Sequence, residues 1–307
     1  MIQQTEFPVL ITGAGSFIGR HMTQDLVRAG LNVFATYRTA NGFLERLRAS
    51  SGNLTLCRID ISQKDEFAAL PSSIAAVVHI AGVSTEAGIS LDSMLDANVA
   101  GTRNVQRYAL DAGATKLIFA SSMMVHGRIE VAVVDSRTPV ISPGTYGASK
   151  LLGERILAST SDRLPVVALR LPGVLGFGAH RAWLPTVLNK LRQGQKVEIF
   201  NPDAQFNNAA DVKHVSRFVL HLLLEHKWDG FSVMPIAADG MMSIREIVVR
   251  MRETLKSVSK ILVIDSTRPS FIISSELARE FGYRAAAIGT VIDDYLECSA
   301  NAQECLN

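Results

Sequence analysis

Pro8-Val9-Leu10-Ile11-Thr12-Gly13-Ala14-Gly15-Ser16-Phe17-Ile18-Gly19 is the stretch on which the reading of the fold turns. Its first five residues form an apolar run of strand length, and a glycine-rich turn follows at once. A helical pattern from His21 to Ala29, closed by Gly30, completes a strand–turn–helix unit. Glycines in such a turn let the backbone approach a pyrophosphate, which rests on the amides of the helix N-terminus. Gly13, Ser16 and Gly19 stand at three-residue intervals, with Gly15 in addition. The common G-x-G-x-x-G fingerprint fails, because Ile18 stands where its third glycine belongs. What fits is glycine, small residue, glycine. Gly13, Gly15, Ser16, Phe17, Ile18 and Gly19 are therefore the first candidate binding residues, against the alternative of a tight turn that binds nothing.

Outward from this unit the same alternation continues. Asn32–Thr36, Leu54–Ile59, Ala76–Ala81, Lys116–Ala120 and Pro165–Arg170 read as further strands, with Asp96–Ala112 helical between two of them. Continuous apolar strands spaced by amphipathic helices imply a parallel sheet covered on both faces, a doubly wound α/β domain. Ligands of such sheets bind beyond the carboxyl ends of the strands. After Pro172 the rhythm loosens: Gly173, Gly176 and Gly178 crowd the chain, and helical patterns at Trp183–Gln193 and Ile244–Lys256 dominate. The expected division is residues 1–172 as the nucleotide-binding domain, with a returning segment near 207–241 that includes the strand-like Gly230–Ile236. Residues 173–206 and 242–307 are expected to form a smaller, mostly helical substrate-binding part.

Composition fits an ordinary globular enzyme or binding protein. The 307 residues are 48% hydrophobic and 20% charged, with net charge +2, which gives no reason to expect nucleic acid or a membrane surface. Cys57, Cys298 and Cys305 are scattered without metal-ligand spacing, so a reducing compartment, no disulfide framework and no metal are expected. The first residues lack a basic segment followed by an apolar one, and no apolar run reaches the length of a membrane span. A cytoplasmic location is the expectation.

Candidate chemistry gathers at the strand ends. An NAD-binding chain usually carries an acid about 20 residues after the glycine turn, for the ribose 2′-hydroxyl. Here the second strand closes on Ala35-Thr36-Tyr37-Arg38, and no acid appears until Glu45. Arg38 is placed to meet a 2′-phosphate, or else is a solvated loop residue. Asp60, after the third strand, is read as a partner for an adenine amino group or as a helix N-cap. His79-Ile80-Ala81-Gly82 ends the fourth strand with small residues that let a ligand lie close, His79 itself being a packed core residue. Tyr146 and Lys150 are four apart, on one face of a helix, where the ammonium is expected to lower the phenol's pKa toward working pH. Ser122, at the end of the fifth strand, supplies a hydroxyl able to bond a carbonyl oxygen and that phenol.

Together these residues resemble the extended short-chain dehydrogenase/reductase superfamily, within its NAD-dependent epimerase/dehydratase branch. The resemblance spans nearly the whole chain, from the glycine turn through Asp60-Ile61, His79–Gly82, Asn98–Val105, Ser122 and the Tyr146/Lys150 pair, in the family's order. Arg170-Leu171-Pro172-Gly173-Val174-Leu175-Gly176 is similar to the family's R-x-x-x-V-x-G segment, and Ser275–Tyr283 to its closing leucine–glycine–aromatic segment. The resemblance implies a Rossmann-type fold and the cofactor NADP or NAD. It implies that Tyr146 is the acid/base, that Lys150 bonds the nicotinamide ribose and lowers the Tyr146 pKa, and that Ser122 orients the substrate carbonyl. It further implies that Gly13–Gly19, Asp60, Ile61, Ile80, Ala81, Gly82, Asn98 and Pro172, with Tyr146 and Lys150, line the cofactor cleft.

Departures from the family pattern narrow the reaction. The Asp-Glu pair that dehydratases of the branch carry after the Ser/Thr is replaced by Met123-Met124, which argues against elimination of water. His126 stands where tyrosine is frequent and is read as a pocket wall. Asn207-Asn208 replaces an arginine that often grips a nucleotide-sugar phosphate, leaving His180, Arg181 and Lys196 as nearby cations. The expected function is reduction of a carbonyl on a sugar or sugar nucleotide. An epimerase with transient oxidation and a non-catalytic NADP-binding sensor are the alternatives, and a homodimer is possible on the exposed helices of such a sheet.

Overall fold

The computed structural model describes residues 8–84, 88–180, 182–266 and 269–300. Seven strands make the central sheet: β1 (Pro8–Thr12), β2 (Asn32–Tyr37), β3 (Leu54–Arg58), β4 (Ala76–His79), β5 (Lys116–Ser122), β6 (Val166–Leu171) and β7 (Phe231–Pro235). Their spatial order is β7-β6-β5-β4-β1-β2-β3. β1 pairs in parallel with β2 and β4, β2 with β3, and β4 with β5. The sheet is doubly wound, and the direction of winding reverses between β1 and β4, the place beyond whose strand ends such sheets bind ligands. Burial on both faces explains the uninterrupted apolar strands: every residue of β4 and β6 is buried.

Helices α1 (Phe17–Arg28), α2 (Gly42–Ala49), α3 (Gly101–Asp111) and α4 (Thr145–Ala158) accompany the sheet. α1 starts four residues earlier than the His21 expected from periodicity, because Ser16 caps it: the Ser16 hydroxyl accepts from the Gly19 amide at 3.1 Å. β5 runs to Ser122, past the expected Ala120, which puts that serine on the strand's last residue. The expected helix Asp96–Ala112 is broken in character. A wide π-type turn, Asp96–Ala100, precedes α3, and its bulge turns Asn98 into the interior at 1% exposure.

Compactness divides the described residues into two units. The first comprises the chain up to Arg128, Val140–Arg170 and Ser216–Met234; the second comprises Ile129–Pro139, Leu171–Val215 and the chain from Pro235 onward. Leu10, Val77, Val105, Leu117, Phe119 and Val166 anchor the core of the first. In the second, helices Trp183–Arg192, Ile244–Thr254 and Ile288–Ala300 pack with short strands, among them the parallel pairs Gly173–Leu175 with Ala209–Asp211 and Val197–Phe200 with Ile261–Ile264. Its core gathers Leu188, Ile199, Val248, Ile292 and Tyr295. Among the described residues no helix is long and apolar enough to cross a membrane.

Candidate active site

The turn after β1 is built around absent side chains. Gly13 has φ +72°, and a Cβ there would lie 2.7 Å from the backbone of Ala81, so turn and β4 end meet across the reversal point. A Cβ on Gly19 would lie 2.1 Å from the Gly13 carbonyl oxygen, which locks the start of α1 onto the turn. The Ser16 hydroxyl is spent on capping, while the first-turn amides of Phe17 and Ile18 face outward from the helix as such amides must. Sequence reasoning missed Asn41. Its Nδ2 donates to the Gly15 carbonyl at 3.1 Å, and its Oδ1 caps α2 by accepting from Phe43 and Leu44 at 3.0 and 3.3 Å. An asparagine just ahead of a helical run was the available signal.

Just past the end of β2 Arg38 is exposed. Its Nη1 lies 3.9 Å from Asp60 Oδ2, with side-chain exposures of 67% and 33%. So long and wet a pair contributes about 0–1 kcal/mol and leaves the guanidinium free to turn. Arg58 Nε donates to the backbone carbonyl of Arg38 at 3.3 Å. Asp60 Oδ1 accepts from the amide and hydroxyl of Ser62 at 3.0 and 2.8 Å, a local turn. Ile61 sends its side chain into the core against Gly101, and its carbonyl accepts from Asn104 at 2.9 Å. Ile80 and Ala81 are half-buried and Gly82 is exposed.

His79 is wholly buried, as a packed core residue should be, and it organises these strand ends. Thr12 Oγ1 accepts from the amides of Ile80 and Ala81, both at 3.2 Å, and so donates to His79 Nδ1 at 2.7 Å. Thr102 Oγ1 donates to the Asn98 carbonyl at 2.6 Å and so accepts from His79 Nε2 at 3.0 Å. The network thus fixes a neutral imidazole with its proton on Nε2. Burial, with the Lys150 charge adding to it, holds the His79 pKa down to about 3. Asn98 continues the chain of bonds: its Oδ1 accepts from the Val83 amide at 2.8 Å, and its Nδ2 donates to the Val83 carbonyl at 2.8 Å and to Ser149 Oγ at 2.9 Å.

Ser122, Tyr146 and Lys150 come together where β5 ends against α4. Ser122 bonds the Tyr146 phenol and accepts from the Met124 amide at 3.2 Å. Lys150 is 4% exposed; its Nζ donates to the Ala120 carbonyl at 2.9 Å and lies 4.7 Å from the centre of the Phe119 ring. Burial brings the Lys150 pKa down to about 8, with Glu154 one turn further along α4 acting against it. Lowering of the tyrosine by the lysine was expected. Instead burial pushes the Tyr146 phenol above its ordinary value, and the Ser122 hydrogen bond pulls it only part of the way back. Gly147 and Gly82 make the arrangement possible. A Cβ on the first would lie 2.0 Å from the Met124 carbonyl, and on the second 2.7 Å from Asn98 Oδ1 and 3.3 Å from Lys150 Nζ.

Other expected positions lie elsewhere. His126, expected at a pocket wall, is 0% exposed and accepts from Arg170 at 3.2 Å, because the tight turn Met123–His126 carries its ring into the interior, where the buried guanidinium supplies a donor. Of the two methionines after Ser122, Met123 is buried and Met124 is 52% exposed. In the second unit, Pro172 is half-buried between β6 and strand Gly173–Leu175. Asn207 is interior and bonds both the amide and the carbonyl of Ile273, at 2.9 and 2.8 Å, as a peptide group would. Exposed His180 accompanies the Gly178 carbonyl, and Lys196 pairs with Glu198 at 2.9 Å. Arg181 and Cys305 fall outside the described residues.

Comparison with known proteins gives the arrangement a context. Residues 9–230 match the model of the NAD dependent epimerase/dehydratase family. Over 280 residues the chain is 26% identical to a dTDP-4-dehydro-6-deoxy-D-allose reductase of Streptomyces sp, covering 85% of each protein. It is 33% identical over 164 residues to UDP-glucose 4-epimerase 4 of Oryza sativa subsp. japonica, a match to 50% of this chain and 44% of that relative, less than half its length. The crystal structure of UDP-glucuronic acid 4-epimerase from Bacillus cereus in complex with NAD shares the fold, with a TM-score of 0.81 at 17% identity over 97% of this chain and 100% of that one.

Proposed function

The chain belongs to the NAD dependent epimerase/dehydratase family, an enzyme of the extended short-chain dehydrogenase/reductase type, and on that premise we propose that it reduces a carbonyl on a sugar or sugar nucleotide with Tyr146 as the acid. The observation that carries this reading is the contact of Ser122 with the Tyr146 phenol, backed by the buried ammonium of Lys150 one helical turn away. A phenol whose pKa burial has raised keeps its proton at neutral pH, which suits a donor better than a base. In this reading the Ser122 hydroxyl orients the carbonyl oxygen, and Tyr146 gives that oxygen its proton as negative charge develops. The Lys150 ammonium then stabilises the phenolate left behind. Met124 in place of a carboxylate offers no base for removing a second proton, which sets elimination aside.

The glycines of this region support binding of a dinucleotide: at Gly13, Gly19 and Gly82 any Cβ would collide with neighbouring atoms, so the turn and strand ends present backbone there instead of side chains. The amides of Phe17 and Ile18 would take the pyrophosphate, Asp60 the adenine side, and Ala81 and Gly82 the wall next to Lys150. When bound, the nicotinamide supplies the hydride. The finer choice of NADP over NAD rests on the exposed Arg38, just past the end of β2, where a 2′-phosphate would lie. The relative that matches along 85% of its length is named a reductase, which supports net reduction. An epimerase is the second reading, favoured by the higher identity to the rice UDP-glucose 4-epimerase.

One assay separates the two. Incubation with NADPH and 4-keto sugar nucleotides is expected to consume reduced cofactor mole for mole with product. Interconversion of UDP-sugars with no net change in nicotinamide absorbance would overturn the reductase in favour of the epimerase. Inactivity of Tyr146→Phe supports either, and full activity of that variant refutes both.

A further inference from the structure

Glu154 and Arg170 have no part in the chemistry above, yet they are among the most deeply buried charges of the first unit. They are 2% and 5% exposed. The guanidinium grips the carboxylate with two parallel bonds, Nη2 to Oε2 at 2.8 Å and Nε to Oε1 at 3.0 Å. Ser121 Oγ adds a donor to Oε1 at 2.5 Å, and Arg170 Nη1 reaches His126 Nε2 at 3.2 Å. Stability alone does not account for such a cluster, since well-packed apolar residues in place of a buried pair often leave a protein as stable or more so.

Its position in the fold does account for it. Tyr146, Lys150 and Glu154 follow one stripe of α4 at four-residue steps, and the three hold three successive residues at the end of β5. Lys150 donates to the Ala120 carbonyl, Glu154 accepts from Ser121, and Tyr146 bonds Ser122. His126 closes the tight turn Met123–His126 that Ser122 opens, so Arg170 anchors the far end of the serine's own turn.

We propose that Glu154 is a positioning residue for the reaction: held by Arg170, its carboxylate fixes the end of β5 against α4 and keeps Lys150 in its ammonium form. The meaning for turnover rests on the function proposed above, whereas the effect on Lys150 does not. The groups that face Lys150 are the Ala120 carbonyl and the Phe119 ring from β5, neutral His79 from β4, and Tyr146 and Glu154 from α4. Arg170 from β6 stands behind Glu154, and His126, accepting from that guanidinium, is neutral at Nε2. In this set Glu154 is the anion, and Arg170 the cation that tempers it. Removing either therefore moves the lysine in opposite directions.

The test is an NMR titration of protein labelled at the lysine Cε, with the Lys150 signal identified by its loss in Lys150→Arg. No cofactor or substrate is needed. Glu154→Gln leaves Arg170 uncompensated and is expected to lower the Lys150 midpoint by about one pH unit or more. Arg170→Gln bares the carboxylate and is expected to raise it. Glu154→Asp, which keeps the charge, is expected to hold the midpoint near the native one, and it serves should Glu154→Gln fold poorly. A role in packing alone predicts that every variant admits water and raises the midpoint; that outcome, or an unmoved Glu154→Gln, overturns the proposal. In turnover, Glu154→Gln is expected to lower kcat at least about tenfold with cofactor KM nearly unchanged, its alkaline limb shifted to lower pH. If Tyr146→Phe proves fully active, the reaction assigned above fails while the titration still decides the role of Glu154.

Discussion

Gly19→Ala sets two rules against each other, and the structure decides between them. Gly19 is the third residue of α1, at an ordinary helical φ, and at an open helical position alanine is the better residue by about 0.8–1 kcal/mol. Here the added Cβ would sit 2.1 Å from the Gly13 carbonyl oxygen and 2.9 Å from the Ala14 Cα. Both are backbone atoms with no rotamer by which to yield. Ordinary contact begins near 3.4 Å, so α1 and the turn must separate by about 1.3 Å. Met22, Leu26 and Val27 on the buried face of α1 resist that movement. Overpacking of this kind costs about 1–3 kcal/mol, which outweighs the propensity gain. The variant is expected to be less stable by about 1–2 kcal/mol in urea denaturation, a midpoint fall of several degrees on heating. NAD(H) affinity, followed by fluorescence, is expected to fall at least about tenfold, because the amides of Phe17 and Ile18 move with the helix and one charged hydrogen bond is worth about 1.5–3 kcal/mol. Gly52→Ala, where a Cβ meets nothing within 4 Å, is the matched control and is expected to be neutral or slightly stabilising. A Gly19→Ala protein as stable as the native one, with unaltered affinity, would refute the steric argument.

Tyr146→Phe is expected to lower kcat by at least about a hundredfold while cofactor affinity stays within a few-fold, measured by steady-state rates and fluorescence titration. His79 stays neutral in the fold down to a pKa of about 3 but protonates near 6.5 when unfolded, so the unfolded chain binds more protons in that window. Stability is therefore expected to fall as pH drops from 6.5 toward 3, and His79→Leu, though less stable at pH 7, should show a shallower slope in calorimetry. Lys150, at about 8 in the fold against 10.5 unfolded, follows the same sign: the native protein should gain stability relative to Lys150→Met as pH rises from 8 to 10.5. Arg38→Ala is expected to weaken NADP relative to NAD by about tenfold or more, the worth of a charge-assisted phosphate contact; an unchanged ratio of Kd values would remove the basis for NADP.

Much of the site was legible because its parts are local. The glycine turn, the Tyr146/Lys150 step and the serine at a strand end each follow from a few adjacent residues and the period of one element. The carboxyl end of strand β1 fell where it was read, since the run gives way at once to Gly13. Boundaries slipped where a side chain decided them: Ser16 drew α1 four residues back, and the π-type turn at Asn98 divided a helix that periodicity ran together. Two groups escaped notice. Asn41 joins α2 to a turn 26 residues away, and Glu154 meets a guanidinium 16 residues on, contacts that no window of sequence contains.

The chain by itself determined the alternation of strand and helix and the gathering of candidate polar residues, Ser122, Tyr146 and Lys150, at a strand end and on one helix face, because side-chain period and turn composition are properties of neighbours along the backbone. Protonation was decided only by the tertiary structure. The sequence puts a cation four residues from a phenol and leads one to expect the phenol to be acidified; folding buries both, and desolvation, which no spacing encodes, raises the tyrosine and lowers the lysine instead.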